Sequence, residues 1–332
     1  MNLDLGQLVS RSFAICWSRK WLWLLGVFGG GQGFLLGGLI RPAIYALPGR
    51  RAGNFATVRV VPVTISTQDF WARYGGLIIG AAVALFVIWL ISTAIYCIAA
   101  PGVIWSAVTD DAGQAVGLRD AWRQGRARFT LFLGLYAIRL LLTAILLALL
   151  ALVMLGVIAI VGVHNAGAIV TIVLVGVAAL LVYFICSILL SLVFVWSERV
   201  LVLLNLGVVD AIRASWWLAR KNLGDTIVFA IVFGAIVFGI SLAYGVIAAI
   251  FSVPGIIVIS LAWASQSTAL LALGVVMILL LAGGASVVTG GFVGSLIQVG
   301  YALACRDLCL RHGLKLAVGG PPVQSPAAPA PA

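Results

Sequence analysis

The feature that leaves this chain the fewest choices is a series of apolar runs, each long enough to cross a bilayer. A helix needs about 20 such residues to span the hydrocarbon core. Six runs with at most one charge reach that length: Trp21–Ile40, Gly75–Ala100, Phe129–Val163, Ala168–Trp196, Thr226–Phe251 and Thr268–Ala304. With 64% of its residues hydrophobic and only 9% charged, the chain has neither the composition of a soluble domain nor that of a disordered one. The expected fold is all-α and integral to the membrane, with six transmembrane helices. Pro101 and Pro254 fall where a long helix should kink or stop. The piece Pro254–Trp263 is too short to span and reads as an extension or an interfacial return.

Six spans put both termini on one side, and the basic residues choose which. Fourteen Lys and Arg fall on one face: Arg11, Arg19 and Lys20; Arg119, Arg123, Arg126 and Arg128; Arg199, Arg213, Arg220 and Lys221; Arg306, Arg311 and Lys315. Five, Arg41, Arg50, Arg51, Arg59 and Arg73, fall on the other, all in one loop, Arg41–Tyr74. The positive-inside rule then makes both termini cytoplasmic. Aromatic residues agree with these borders, with Trp21, Trp23, Trp105 and Trp196 inside and Trp71, Tyr74 and Trp263 outside. The net charge of +11 is therefore a topology signal and an attraction to anionic lipids of the cytoplasmic leaflet, with nothing to indicate nucleic acid. The first run lacks a small-residue cleavage site and is followed by further spans, so it is expected to be retained. The five cysteines lie in apolar or membrane-adjacent stretches and imply no disulfide framework.

Two loops repeat. Gly117-Leu-Arg-Asp-Ala-Trp-Arg123 matches Gly207-Val-Val-Asp-Ala-Ile-Arg213, each just before a span, about 90 residues apart. On a helical wheel Asp210, Arg213, Trp217, Arg220 and Lys221 share one arc, while Val208, Ala211, Ile212, Ser215, Trp216 and Leu218 fill the rest. That is an amphipathic helix lying in the plane of the interface. A fainter third copy occupies residues 1–20, where Leu5, Leu8, Val9, Phe13 and Cys16 share a face. The expected architecture is three repeats of interfacial amphipathic helix plus helical hairpin. The membrane domain covers 21–318, with the external loop at 41–74 and cytoplasmic loops at 101–128 and 197–225. Thr57–Ser66 in the external loop is β-rich enough for a small hairpin. Residues 319–332, rich in Pro and Ala, are expected to form a disordered cytoplasmic tail.

Chemistry-bearing patterns are scarce. The glycine-rich Gly29-Gly-Gly-Gln-Gly33 has no following Gly-Lys-Ser/Thr, and neither His-Glu-x-x-His nor Gly-x-Ser-x-Gly occurs. These absences point away from an enzyme, with no catalytic residue, cofactor or metal ligand to nominate. Cys305, Cys309 and His312 share a helical face, yet i to i+7 spans about 10 Å, too far for ligands that sit about 2 Å from a zinc ion. The cysteines read as packing residues. Glycines at Gly29, Gly33 and Gly37 and at Gly290 and Gly294 favour close helix packing, with a homo-oligomer contact as the alternative. Gln32 and Gln298 could hydrogen-bond across helices or line a polar pathway.

Arg139, ten residues into the third run, is the one basic residue within a span. It is either a functional intramembrane charge or a side chain that snorkels toward headgroups, since no acidic partner lies inside a span. Glu198, Asp210, Arg213, Arg306 and Asp307 complete the candidate functional or topology-setting charges.

Three stretches resemble a known family. Glu198-Arg-Val-Leu-Val-Leu-Leu-Asn-Leu-Gly-Val-Val-Asp-Ala-Ile-Arg-Ala-Ser-Trp-Trp-Leu-Ala-Arg-Lys-Asn222 is similar to a signature of uncharacterised six-span bacterial membrane proteins related to the membrane domain of glycerophosphodiester phosphodiesterases. Tyr301-Ala-Leu-Ala-Cys-Arg-Asp-Leu-Cys-Leu-Arg311-His-Gly resembles their closing motif, with Cys309 in place of a usual Arg and Tyr301 further from Asp307 than the pattern has it. The loop Asp110–Trp122 also fits. The resemblance implies a bacterial cytoplasmic membrane protein without the phosphodiesterase barrel or its hydrolytic activity, and a cytoplasmic cluster of charges. Two functions fit such a chain: a membrane scaffold, regulator or lipid-organising protein, and a transporter or permease for a small or lipidic solute.

Overall fold

The computed structural model describes residues 4–29, 67–161, 166–265 and 267–317. Among them the regular elements are helices, in the order α1 (Leu5–Ser18), α2 (Trp21–Gly29), α3 (Thr67–Asp111), α4 (Leu118–Ala127), α5 (Phe129–Val161), α6 (Ala166–Leu204), α7 (Val208–Lys221), α8 (Leu223–Ser265) and α9 (Thr268–Arg311). Five of them, α3, α5, α6, α8 and α9, are long and apolar enough to cross a membrane. The chain is an all-α polytopic membrane protein.

Its surface has the chemistry of a molecule dissolved in lipid. The stretch Phe129–Ala159 of α5 has a mean hydropathy of 3.0, yet none of its most apolar window is buried. Leu152, Leu155, Phe238 and Leu280 point outward, each at least 66% exposed. A soluble monomer rarely exposes apolar patches of this extent, whereas helices in hydrocarbon satisfy their backbone internally and can present apolar side chains on every side.

Several boundaries differ from those read in the sequence. Of the run Trp21–Ile40, only α2 falls within the described residues, so the sixth span lies largely outside them, as do most of the 41–74 loop with its β-rich stretch, and the 319–332 tail. Residues 67–74 are already helical, because Thr67–Tyr74 contains no Gly or Pro to stop the helix of the following run. The expected loops 101–128 and 197–225 are mostly helix as well. The helix α3 continues through Pro101 to Asp111, and α6 passes Trp196 and ends at Leu204. Likewise α9 runs past Ala304 to Arg311. Charges do not end these helices because they find partners on neighbouring elements.

Neither proline stops its helix. Pro101 is flanked by Cys97, Ala99, Ala100, Val103 and Ile104, all fully buried, so packing holds the helix on both sides of the lost hydrogen bond. Pro254 lies inside α8, and Pro254–Trp263 extends that helix instead of returning along the interface. Such helix-breaking residues are tolerated in membrane helices where neighbours hold the segment.

The chain divides into two compact units. One contains Lys20–Tyr96 and Ala235–Ser295, and its helices meet through glycine. A Cβ on Gly26 would lie 2.1 Å from the Gly291 carbonyl oxygen, and one on Gly291 would lie 2.4 Å from that of Trp23. Gly26 and Gly291 thus bring α2 and α9 into close backbone contact; Gly29, Gly290 and Gly294 of the spaced set are buried on the same helices, while Gly33 and Gly37 lie outside the described residues. Gly255 of α8 and Gly274 of α9 form a second such pair, each Cβ falling about 3 Å from the other's carbonyl oxygen.

The other unit contains Met1–Arg19, Cys97–Gly234 and Leu296–Ala332. It holds the three short helices α1, α4 and α7, which bury the same register. Counted from their N-caps Asp4, Gly117 and Gly207, the fourth residues are Leu8, Ala121 and Ala211 and the eighth are Ser12, Gly125 and Ser215, all six buried. In the two longer helices the twelfth, Cys16 and Ala219, is also buried. This i, i+4, i+8 stripe of mostly small residues lets backbones meet. A Cβ on Gly125 would lie 2.0 Å from the Ile98 carbonyl oxygen of α3, and Ser215 Oγ sits 2.6 Å from Ser197 Oγ of α6.

The long helices end alike where they meet these short ones. In α3 and α9 a glycine in the left-handed region, Gly113 (φ 82°) or Gly313 (φ 69°), follows the last turn. The next N–H, of Gln114 or Leu314, donates back to Thr109 or Cys309, a Schellman closure. Asn205 (φ 53°) turns the chain after α6, a conformation that asparagine tolerates better than most residues.

Candidate functional site

Charged side chains in the unit that holds the short helices form two assemblies. The first joins α1, α3 and α9. Arg11 donates from Nε to Asp111 Oδ1 at 3.0 Å and approaches Asp307 Oδ2 at 3.5 Å. Asp111 also accepts from Arg306, and Arg19, the C-cap of α1, donates to Asp110 Oδ1 at 2.9 Å. Arg306 and Asp307 were nominated from the sequence; Arg11, Arg19, Asp110 and Asp111 were not. The signal was present, because an Asp-Asp pair ending a long apolar helix must be neutralised if it is to fold against protein.

Elsewhere in the unit, the C-cap Asn222 of α7 reaches α9, its side-chain nitrogen 2.9 Å from His312 Nε2. Arg311 donates to Asp225 at 2.7 Å, and the His312 ring stands edge-on to Trp217. His312 is thus engaged apart from Cys305 and Cys309, which are both fully buried. No group of three or more metal-ligating side chains occurs among the described residues. Arg128, the C-cap of α4, is drawn into the fold, where burial pulls its guanidinium below the ordinary value, and its Nη1 has no partner among the described residues.

The second assembly lies deeper. Arg199 of α6 is 2% exposed, five residues before the helix ends. Its Nη1 donates to Glu198 Oε2 and to the Val195 carbonyl, both at 2.7 Å, and its Nη2 donates to Gln298 Oε1 of α9 at 2.5 Å. The guanidinium lies 5.4 Å from the centre of the Tyr301 ring, a cation–π distance. Tyr301 is held by edge contacts to Trp196, Phe229 and Phe233. Gly300 allows this packing, since a Cβ there would lie 2.3 Å from the Phe233 ring. Arg199 Nε remains without a partner among the described residues.

Arg139 of α5 completes this assembly, its Nη1 3.7 Å from Glu198 Oε1. The expectation that Arg139 has no acidic partner inside a span is therefore corrected. Because α6 runs past Trp196, Glu198 is helical and buried instead of lying in a loop. Gln298 does bond across helices, while Gln32 lies outside the described residues. Asp210 and Arg213 join neither assembly and are exposed on α7.

Compared with protein-family models, with curated proteins and with solved structures, the chain matches none. What the site can do rests on its own chemistry. A charged side chain inside a membrane span is costly by about 2.5–3.5 kcal/mol on insertion scales and persists where it is paired or used. Two arginines share one glutamate here, leaving one positive charge in excess beside the α5–α6 pair. Beside it, a groove of about 260 Å³ opens along α6, lined by Phe184, Ser187, Ile188, Ser191, Leu192 and Val195, with Tyr301 at its edge.

Proposed function

We propose that this chain is a non-enzymatic, six-span membrane protein of three repeats, each an interfacial helix followed by a helical hairpin. In this reading it engages the anionic cytoplasmic leaflet and serves as a scaffold, regulator or lipid-organising protein. The observation that carries it is the common register of α1, α4 and α7, which seat a small-residue stripe on the bundle and turn their remaining faces outward. On α7 the outward faces carry Arg213, Arg220, Lys221, Trp216 and Trp217, and on α4 they carry Arg119, Arg123, Arg126 and Trp122. Basic residues near an anionic surface contribute about 1 kcal/mol each, and tryptophan favours the headgroup level. The same basic faces support cytoplasmic termini. Kinship with the six-span bacterial family related to the phosphodiesterase membrane domain belongs to this proposal, supported by Glu198 in the last two turns of α6, Gly207 at the cap of α7 and Asp210 in its first turn.

Energy transfer from the native tryptophans to pyrene-labelled phosphatidylglycerol, relative to pyrene-labelled phosphatidylcholine, tests the reading in reconstituted vesicles. Enrichment of the anionic lipid is expected, falling as salt rises and falling again when the exposed arginines of α4 and α7 become glutamine. Equal transfer to both lipids would remove the proposal.

A second reading, transport of a small or lipidic solute, is favoured by one observation: the polar assembly of Arg139, Glu198, Arg199 and Gln298 within the spans. Solute flux into vesicles that fails when Glu198 is replaced would support it.

A further inference from the structure

We infer that the groove along α6 is a binding site for one anionic glycerophospholipid, with an acyl chain along Ser187, Ser191 and Val195 and the phosphate at the Arg139–Arg199–Tyr301 end. The site is distinct from the exposed faces of α4 and α7, and the inference stands whether or not those helices organise the leaflet.

Dimensions are the first support. From Phe184 to Val195 the groove follows α6 for about 17 Å at a rise of about 1.5 Å per residue. One leaflet contributes about 15 Å of hydrocarbon, half of the core. The groove is therefore as long as a single acyl chain, and it opens on a surface that faces lipid.

Polarity runs the right way along it. The apolar end, at Phe184 and Ile188, points toward the middle of the helix. The other end, past Val195, reaches Glu198 and Arg199 within one turn, near the end of the helix at Leu204. A phospholipid has this same order, with tails toward the centre and phosphate toward the interface.

Charge completes the match. Arg139 and Arg199 outnumber Glu198, so the end of the groove carries one uncompensated positive charge in a low-dielectric setting. Arg139 is 35% exposed and can reach an added ligand, while Arg199 Nε is a buried donor without a partner among the described residues. Tyr301 both edges the groove and stacks on Arg199, so its hydroxyl-bearing ring joins the two parts of the site. A phosphodiester supplies the missing negative charge and several acceptor oxygens.

Native mass spectrometry of the full-length protein, purified from a membrane and washed in detergent at high salt, tests this. One phospholipid per chain is expected to remain bound. Arg139→Gln should lower the retained fraction about tenfold, the loss of one charge-assisted hydrogen bond. Ser191→Trp, which fills the groove and leaves every charge in place, should lower it as far. The triple variant R213Q/R220Q/K221Q on α7 should retain the lipid at high salt. Inorganic phosphate at millimolar concentration should fail to displace it. A wild-type protein that retains no lipid would overturn the inference. So would retention at the wild-type level by both groove variants, loss in the α7 variant, or displacement by inorganic phosphate, which would mark a simple anion site.

Discussion

The two charge assemblies contain the same residue types and differ in what surrounds them. Around Asp111 the side chains of Arg11 and Arg306 are 37% and 20% exposed, so water and salt can still reach the pairs. Around Glu198 the Arg199 side chain is 2% exposed and its contacts include a glutamine, a backbone carbonyl and an aromatic ring. The first arrangement ties helix ends together at an aqueous border. The second keeps an excess charge where its interactions are strong and its desolvation must be repaid locally. Identical chemistry thus serves as a staple at one depth and as a candidate binding site at another.

The sharpest way to break this comparison is to remove Glu198. Replacing it with alanine leaves Arg199 buried without its acidic partner, and stability in detergent should fall by about 3–5 kcal/mol, read as a lower unfolding midpoint. Raising salt should leave that loss unchanged, because the pair is shielded from counterions. Asp111→Asn should show the opposite dependence: a smaller loss of about 1–3 kcal/mol, shrinking when the same unfolding curves are recorded at higher ionic strength. If both losses respond equally to salt, the distinction between the assemblies fails. The smallest effect belongs to Arg123→Gln. Its pairing with Asp120, at 3.5 Å with the two side chains 76% and 48% exposed, should contribute nothing measurable to the midpoint.

Helical content and membrane character were legible because they depend on local composition. Apolar runs longer than a bilayer is thick have no other stable form, and Leu152 or Phe238 can point outward only into lipid. The match between Gly117–Arg123 and Gly207–Arg213 located two short helices, and the fainter signal in the first 20 residues marked α1. Half of the charge pattern was legible for the same reason. Arg306 and Asp307 stand out at the end of an apolar run, and they do meet other charges. Asp210 and Arg213 stand out equally, yet they remain on an exposed face of α7.

Partnership was not legible. Arg139 looked unpaired because Glu198 was assigned to a loop, and Arg199 looked like one more topology charge. Helix ends were misplaced where Pro101 was taken as a stop for α3, and where charges were taken as stops for α6 and α9, at Glu198 and at Arg306. The glycines at regular spacing suggested close packing, but the contact between Gly26 and Gly291 was not among those picked out.

The amino-acid sequence by itself determined that this chain is a helical membrane protein and which short segments are amphipathic. Those properties follow from hydrophobicity and period, which each stretch carries alone. Only the tertiary structure decided that α6 runs on to Leu204, that Arg199 is held by Glu198 and Gln298, and that Tyr301 edges a groove beside them. The contacts of Gln298 and Tyr301 with α6 depend on residues about a hundred positions apart being brought within a few ångströms. A charge in a low-dielectric interior is stable only once those distant partners have arrived, so its role cannot be read before the chain has folded.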